Sequence, residues 1–121
     1  MPRLLVIGHG HPVLSPGGAE AAAYAIHSSA RKGLLTGWES VFLGRAKRSD
    51  LGHDGELAAF RGKPDEILAS PPGVDHLFMR SLAPTKLYEL LDSVLDAVRP
   101  DVVHAHHFVF WGFDIIRYFF S

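Results

Sequence analysis

The feature of this sequence that most constrains its fold is a wholly apolar run near the N-terminus, followed by a loop and an alanine-rich segment. Residues 4–8 (LLVIG) contain no polar side chain, which is typical of a strand buried on both faces, as in a parallel sheet. Glycine and proline, which interrupt regular structure, are frequent in residues 9–12 (HGHP) and 15–18 (SPGG). Residues 19–32 contain neither and precede Gly33, which suits a helix C-cap. This order predicts the first half of a βαβ unit.

The second half of the chain carries a helix with a clear apolar face. Six apolar residues recur at the spacing that places them on one side of a helix. They are Leu87, Leu90, Leu91, Val94, Leu95 and Val98. Pro84 suits the first turn of this helix, and Pro100 ends it. Residues 101–106 (DVVHAH) then predict another buried strand, and residues 107–121 predict a loop that enters a last, apolar helix.

The segment between these two regions has a weaker pattern. Residues 39–44 contain the apolar run of a second strand, whereas residues 45–65 are polar and predict mostly loop. Residues 57–60 and 67–68 are interpreted as short edge strands, and residues 71–73 (PPG) as a turn.

The alternation of strands and helices predicts an α/β fold, an open Rossmann-like parallel sheet with flanking helices. Residues 4–7 and 102–104 are expected to be adjacent central strands, because both runs look apolar on either face. A length of 121 residues suits one domain, so residues 1–121 are taken as a single unit.

Composition excludes several classes of function. Twelve basic and thirteen acidic residues give a formal net charge of -1, which excludes general electrostatic binding of nucleic acid. The absence of cysteine excludes disulfides, thiolate metal sites and a cysteine nucleophile. The sequence has neither a membrane-spanning run nor the pattern of a secretory signal. We therefore expect a cytoplasmic protein, and a peripheral position on the inner face of a membrane stays open.

Five of the eight histidines follow two of the predicted strands. They are His9, His11, His104, His106 and His107. Open parallel sheets bind ligands at the carboxyl ends of their strands, so we expect these side chains to converge on one crevice. The alternative is that each histidine has a local structural role, such as capping a turn. We expect His104 and His106 to face opposite sides of their strand, so that at most one of them faces a given ligand.

The histidine spacing predicts no metal site. Zinc takes three or four nitrogen, sulfur or oxygen ligands. The sequence has no pair of histidines four residues apart on a helix and no H-E-x-x-H pattern.

Two glycines stand directly before the first predicted helix, in PGGAE at residues 16–20. Gly17 and Gly18 would let backbone N–H groups approach a ligand closely, at a helix end whose partial positive charge favours phosphate. Glu20 by itself is explained by the electrostatics of a first helical turn. The sequence has no G-x-G-x-x-G motif, which argues against dinucleotide binding.

Two landmarks resemble the N-terminal domain of the family 4 glycosyltransferases. The first is RLLVIGHGHP at residues 3–12, followed by PGGAE at residues 16–20 and a helix that ends in RKG. The second is RPDVVHAHH at residues 99–107. The resemblance covers residues 1–44 and 87–118.

The resemblance implies the GT-B architecture, in which two Rossmann-like domains face each other across a cleft. It implies an N-terminal domain that mainly receives the acceptor and a C-terminal domain that holds the nucleotide-sugar donor through an E-x7-E motif. It also implies transfer with retention of configuration, without metal or cofactor. On this basis His106 is the candidate catalytic residue. The candidates for donor-phosphate or substrate binding are Gly17, Gly18, Glu20, His107 and His11.

The chain resembles only the first part of such an enzyme and has no E-x7-E motif. We therefore expect an incomplete N-terminal domain, inactive alone, whose donor-binding C-terminal domain is absent. With that domain, its partners would be a nucleotide-sugar donor and a carbohydrate or lipid-linked acceptor. Two alternatives stay open. One is a non-catalytic binding module that associates through its aromatic residues 108–120, and the other is a relative of sugar-nucleotide epimerases with the same architecture.

Overall fold

In the computed structural model, which describes residues 2–31, 37–51, 56–75, 77–106 and 111–120, helices flank a mixed five-stranded sheet. The elements in chain order are β1 (Arg3–Gly8), α1 (Gly18–Arg31), β2 (Glu39–Arg45), a short 3-10 helix (Arg48–Leu51), β3 (Leu57–Phe60), β4 (Lys63–Ala69), β5 (Val74–Asp75), β6 (Arg80–Ser81), α2 (Pro84–Val98), β7 (Val102–Ala105) and α3 (Asp114–Phe120). No helix within these ranges is long and apolar enough to cross a membrane.

The five strands of the sheet lie in the order β3-β4-β2-β1-β7. β1 pairs in parallel with both β2 and β7, and β2 pairs in parallel with β4. β3 pairs antiparallel with β4. The predicted α/β class with flanking helices is confirmed, but the prediction of a wholly parallel sheet is wrong.

A tight turn explains the antiparallel strand. Arg61 and Gly62 join β3 to β4, and both have positive φ angles, of 51° and 74°. Two successive residues with positive φ match the turn type that fits the twist of a hairpin. A parallel crossover needs a dozen residues or more, so a two-residue connection forces antiparallel pairing. The interpretation of residues 57–60 as an edge strand is confirmed, whereas the turn and the start of β4 lie in the segment predicted to be mostly loop.

The positions of β4 and β7 in the sheet differ from the predictions. β7 is parallel and adjacent to β1, as predicted, with Leu4 opposite Val102. However, β7 lies at the edge of the sheet, and Val102 is 45% exposed. β4, which contains residues 67–68, lies inside the sheet and not at its edge. An apolar pair such as Val102–Val103 matches an edge strand as well as a central one, because side-chain pattern does not report backbone neighbours.

β1 separates two apolar layers. Leu5 and Ile7 pack in one cluster with residues of α2, and both are fully buried. Leu4 and Val6 pack in a second cluster with residues of α1. Side chains alternate between the faces of a strand, so a run that is apolar at every position requires a covering layer on each face.

The two longer helices match their predictions closely. α1 lies within one residue of the predicted range 19–32 at each end, and Gly33 falls outside the described residues. In α2, five of the six predicted core residues are buried and Leu95 is partly buried. α2 ends where Arg99 takes a left-handed conformation and its N–H donates to the carbonyl oxygen of Leu95 at 2.8 Å.

The C-terminal aromatic segment is partly packed into the core. Trp111 is fully buried, and its Nε1 donates to the last carbonyl oxygen of β1 at 3.0 Å. Ile115 is also buried, whereas Phe113 and Ile116 are 48% and 38% exposed. Residues 108–110 lie outside the described ranges. Within residues 111–119, exposed apolar side chains that could form the expected association surface include Phe113 and Ile116.

Candidate functional site

The carboxyl ends of β1 and β7 form the edge of the sheet at which a ligand is expected. The N–H of His106, the residue directly after β7, donates to the carbonyl oxygen of Ile7 at 2.9 Å. This hydrogen bond holds the His106 backbone beside the end of β1. α1 runs back along the sheet, and its last residue, Arg31, lines a cavity with Arg3 at the amino end of β1. The first residue of α1, Gly18, therefore lies toward the same edge as His106.

His104 and His106 lie on the same face of the strand, so the prediction of opposite faces is wrong. Nε2 of His104 lies 3.4 Å from Nδ1 of His106, and the ring centroids are 5.6 Å apart. Residues two apart in a strand share a face because side chains alternate with a period of two. His104 is exposed and His106 is partly buried, so a ligand can reach the pair. His107 lies outside the described residues.

The two glycines before α1 differ in their surroundings. Apart from its chain neighbours and the backbone of α1, no atom of the described residues lies within 4 Å of the position that a Cβ on Gly18 would take. A Cβ on Gly17 would lie 2.3 Å from Oε2 of Glu20, so the Glu20 carboxylate occupies that space. Neither glycine has a positive φ angle. The space that a side chain at position 18 would fill is therefore open to a ligand.

Glu20 is buried and places its carboxylate against the start of α1. A negative charge there is favourable for the helix by about 0.3–1 kcal/mol. The same charge would repel a phosphate group that used the same N–H groups. Glu20 can instead accept hydrogen bonds from a ligand, for example from sugar hydroxyls.

His11 is buried in the layer between α1 and the sheet. Its Nε2 lies 2.7 Å from Oε1 of Glu66, and the N–H of Val13 donates to its Nδ1 at 3.2 Å. Since Nδ1 accepts, Nε2 carries the proton and donates to the Glu66 carboxylate. The imidazole also packs against Phe60, with ring centroids 4.1 Å apart. A neutral His11 therefore satisfies both of its ring nitrogens inside the protein.

The histidines do not all converge on one crevice. His11 contacts β4 through Glu66, whereas His104 lies on β7. Two strands, β2 and β1, separate β4 from β7. At a strand spacing of about 4.8 Å, β4 and β7 are about 14 Å apart. The prediction of one cluster of five histidines is therefore wrong for His11.

A buried polar network surrounds Glu66, and the sequence analysis did not identify it. Glu66 is fully buried, and Nζ of Lys63 lies 3.5 Å from its Oε2. Burial on its own would raise the pKa of Glu66, but contacts with His11 and Tyr24 and the charge of Lys63 lower that pKa below its ordinary value. Glu66 is therefore a buried, charged carboxylate that its neighbours stabilise.

His27 extends this network from α1. Its Nδ1 lies 2.7 Å from Oγ of Ser40, and its Nε2 lies 3.5 Å from Oδ2 of Asp65. Burial lowers the pKa of His27 below its ordinary value. The charges of Asp65 and Glu66 act in the opposite direction but do not outweigh burial. Nε of Arg31 lies 2.9 Å from the same Asp65 oxygen. The network thus joins α1 to β2 and β4 by polar contacts.

Two signals in the sequence point to this network in retrospect. His27 shares the buried face of α1 with Ala23 and Ala30, at helical spacing. Glu66 stands directly before Ile67 and Leu68 in a strand. A polar residue in an apolar pattern indicates a buried partner, but the pattern does not identify that partner.

A cavity opens at the amino ends of the strands. It has a volume of about 560 Å³, and its lining includes Arg3, Arg31, Ser40 and Asp65. Arg3 is held by Glu39 at 2.8 Å and by the carbonyl oxygen of Val98 at 2.7 Å. The cavity therefore lies at the opposite end of the sheet from His106.

Comparison with protein-family models, with curated proteins and with solved structures finds no match to this chain. The interpretation of the site accordingly depends on its geometry and on the sequence landmarks.

Replacing His11 by leucine should destabilise the fold by about 3–5 kcal/mol, because the variant leaves the buried Glu66 carboxylate without its closest partner. The double variant His11→Leu/Glu66→Leu should recover most of this loss, since two apolar side chains need no hydrogen bond. Urea denaturation of the wild type and both variants measures the free energies of unfolding. A single variant within about 1 kcal/mol of the wild type would show that Glu66 does not depend on His11.

Proposed function

We propose that this chain is the acceptor-side N-terminal domain of a retaining glycosyltransferase of the GT-B type, and that it acts together with a donor-binding domain. The observation that carries the proposal is the position of His106 beside the end of β1, on the edge from which the glycine-rich loop leads into α1. Open α/β sheets bind ligands at this edge. The two sequence landmarks, which lie far apart in the chain, meet there.

His106 is proposed as the catalytic residue. A retaining transfer develops positive charge on the donor sugar, and a hydrogen bond to a sugar hydroxyl can orient that ring and strengthen as the charge builds. His106 has the accessibility that this role requires, and His104 lies within 3.4 Å of its ring. His104 can therefore hold the orientation of the His106 imidazole.

Gly18 is proposed to approach the donor phosphates, and Gly17 to shape the turn that presents it. The open space beside Gly18 supports this role, because a phosphate on this side, and not on the Gly17 side that the Glu20 carboxylate occupies, can approach the backbone at the start of α1. Glu20 is proposed to bind the substrate through sugar hydroxyls. For His11, its bond to Glu66 supports a role in shaping the loop rather than direct contact. His107 stays a substrate-binding proposal on sequence grounds.

Gly18→Ala should weaken binding of a nucleotide sugar by about 1–3 kcal/mol, because the methyl group would hold the phosphates away from the backbone N–H groups. The fold should be unchanged, since this methyl group meets no atom of the described residues within 4 Å apart from its chain neighbours and the backbone of α1. Calorimetric titration with UDP-glucose and with GDP-mannose, in a protein that joins this chain to a donor-binding domain, gives the Kd of each variant.

Gly73→Ala is the matched control for this titration. Its methyl group would meet only the side chain of Leu82, at 3.3 Å, beside the hairpin of β5 and β6. We expect wild-type affinity for this control. Wild-type affinity for Gly18→Ala as well would make the glycine-rich loop a structural turn.

In a protein that joins this chain to a donor-binding domain, His106→Asn should lower kcat by about 100-fold at unchanged Tm. The chain alone should transfer no sugar, because these residues contain no E-x7-E motif to hold the donor. Release of nucleoside diphosphate in the presence of acceptor measures the kcat of the variant and any turnover by the chain alone. A lower Tm with normal kcat would assign His106 to the scaffold, and turnover by the chain alone would show that this half is sufficient.

A second candidate function, a module that associates with a second copy, is favoured by exposed apolar side chains. Leu77, Phe78 and Leu82 around β6 are 80%, 63% and 70% exposed. The N–H of Phe113 donates to the carbonyl oxygen of Met79 at 2.6 Å, which joins the C-terminal segment to this hairpin. Exposed apolar residues on two joined segments are typical of an interaction surface.

If this surface mediates association, Phe78→Ser/Leu82→Ser should convert a concentration-dependent dimer to a monomer, because the variant removes the apolar area that a dimer would bury. Sedimentation velocity over a concentration series measures the change. Val13→Ser/Leu14→Ser is the control, since these residues are 53% and 40% exposed on a different loop. A wild-type chain that stays monomeric throughout the series would exclude this candidate.

A further inference from the structure

Three side-chain atoms of the kind that bind metal ions converge between α1 and β4. Nε2 of His27, one carboxylate oxygen of Asp65 and one of Glu66 all lie within 4.8 Å of one another. His27 and Glu66 are fully buried, and Asp65 is partly buried. His27 is far in sequence from the adjacent pair Asp65 and Glu66, so spacing motifs do not identify the group.

Two of these atoms have contacts at 3.5 Å, Nε2 of His27 with Asp65 and Oε2 of Glu66 with Lys63, but no hydrogen bond. Nε2 of His27 and Oε2 of Glu66 have no hydrogen-bond partner among the described residues, although both side chains are fully buried. A buried polar atom without a partner costs about 1–3 kcal/mol, and native folds avoid that cost. Two such atoms that point into one space indicate a ligand that would satisfy both.

The opposite ends of the same two side chains are held in place. Ser40 binds Nδ1 of His27 at 2.7 Å, and His11 binds Oε1 of Glu66 at 2.7 Å. When Nδ1 of His27 donates to Ser40, Nε2 presents a lone pair to the carboxylates. Metal-binding histidines almost always have their second ring nitrogen hydrogen-bonded in this way, which orients the ring.

We propose that His27, Asp65 and Glu66 form a binding site for a divalent transition-metal ion of the Zn²⁺ type. One imidazole nitrogen and two carboxylate oxygens are a donor set that zinc accepts. Metal–ligand distances of about 2.0–2.2 Å place tetrahedral ligands about 3.4 Å apart. Nε2 of His27 and Oδ2 of Asp65 are already 3.5 Å apart, so binding requires mainly a small movement of Glu66.

The cavity at the amino ends of the strands gives an ion access to this site. Asp65 and Ser40 both line the cavity, which has a volume of about 560 Å³. An ion can therefore reach the Asp65 carboxylate from solvent without unfolding of α1.

Two cations compete for the same carboxylates. Nε of Arg31 lies 2.9 Å from Oδ2 of Asp65, and Nζ of Lys63 lies 3.5 Å from Oε2 of Glu66. Their side chains are 52% and 50% exposed, so both can turn toward solvent when an ion binds. The rival explanation is that these two cations alone neutralise the carboxylates and that the network is purely structural.

Titration calorimetry of the chelator-treated chain with zinc chloride distinguishes these explanations. We expect one bound Zn²⁺ per chain, with affinity lowered by about ten-fold or more in Asp65→Asn and in His27→Gln. His104→Gln is the matched control, because the exposed pair of His104 and His106 is an alternative place for zinc to bind. This control should keep the wild-type affinity and stoichiometry.

A measurement on the wild type tests the proposal even if the variants do not fold. Zn²⁺ should change the nitrogen chemical shift of Nε2 of His27 in long-range imidazole NMR spectra, while His104 stays unchanged. The proposal is overturned if the wild type binds no zinc stoichiometrically, if Asp65→Asn binds zinc like the wild type, or if zinc perturbs His104 and not His27.

Discussion

Strand β1 is buried on both faces, and the positions of both helix layers follow from that constraint. Leu5 and Ile7 need cover on one side, which α2 and Trp111 provide. Leu4 and Val6 need cover on the other side, which α1 provides. A two-layer arrangement would leave one of these apolar faces in water, at a cost of about 25 cal/mol for each Å² exposed. The sheet therefore has helices on both faces.

α1 connects the two regions of chemical interest. It begins at Gly18, toward the carboxyl edge where His106 lies, and it carries His27 and Arg31 toward the opposite end of the sheet. The first region is open and accessible, as a substrate site requires. The second is a buried polar network with one side open to a cavity. α1 therefore connects the glycine-rich loop, which precedes its first residue, to the polar network that contains His27.

The buried charge of Glu66 determines which side chains surround it in the layer between α1 and the sheet. Without partners, a carboxylate in this position would cost several kcal/mol, so His11 and its neighbours are held in place around it. His11 belongs to the loop after β1, and its bond to Glu66 joins that loop to β4 across the intervening strand β2. The loop that precedes Gly17 and Gly18 is therefore anchored by a polar contact rather than by apolar packing.

The sequence alone determined the elements whose side-chain pattern is local and periodic. These were β1, α1, β2, β3, α2, β7 and α3, since each pattern indicates which side chains need burial. The β3–β4 hairpin was not predicted, because its turn requires positive φ at Arg61, a residue type that does not indicate it. The shared face of His104 and His106 follows from the period of two in a strand and was misjudged from the sequence. Only the tertiary structure decided that β7 lies at the edge and that His11 bonds Glu66. The physical reason is that strand order and polar pairing depend on contacts between distant residues, which periodicity does not encode.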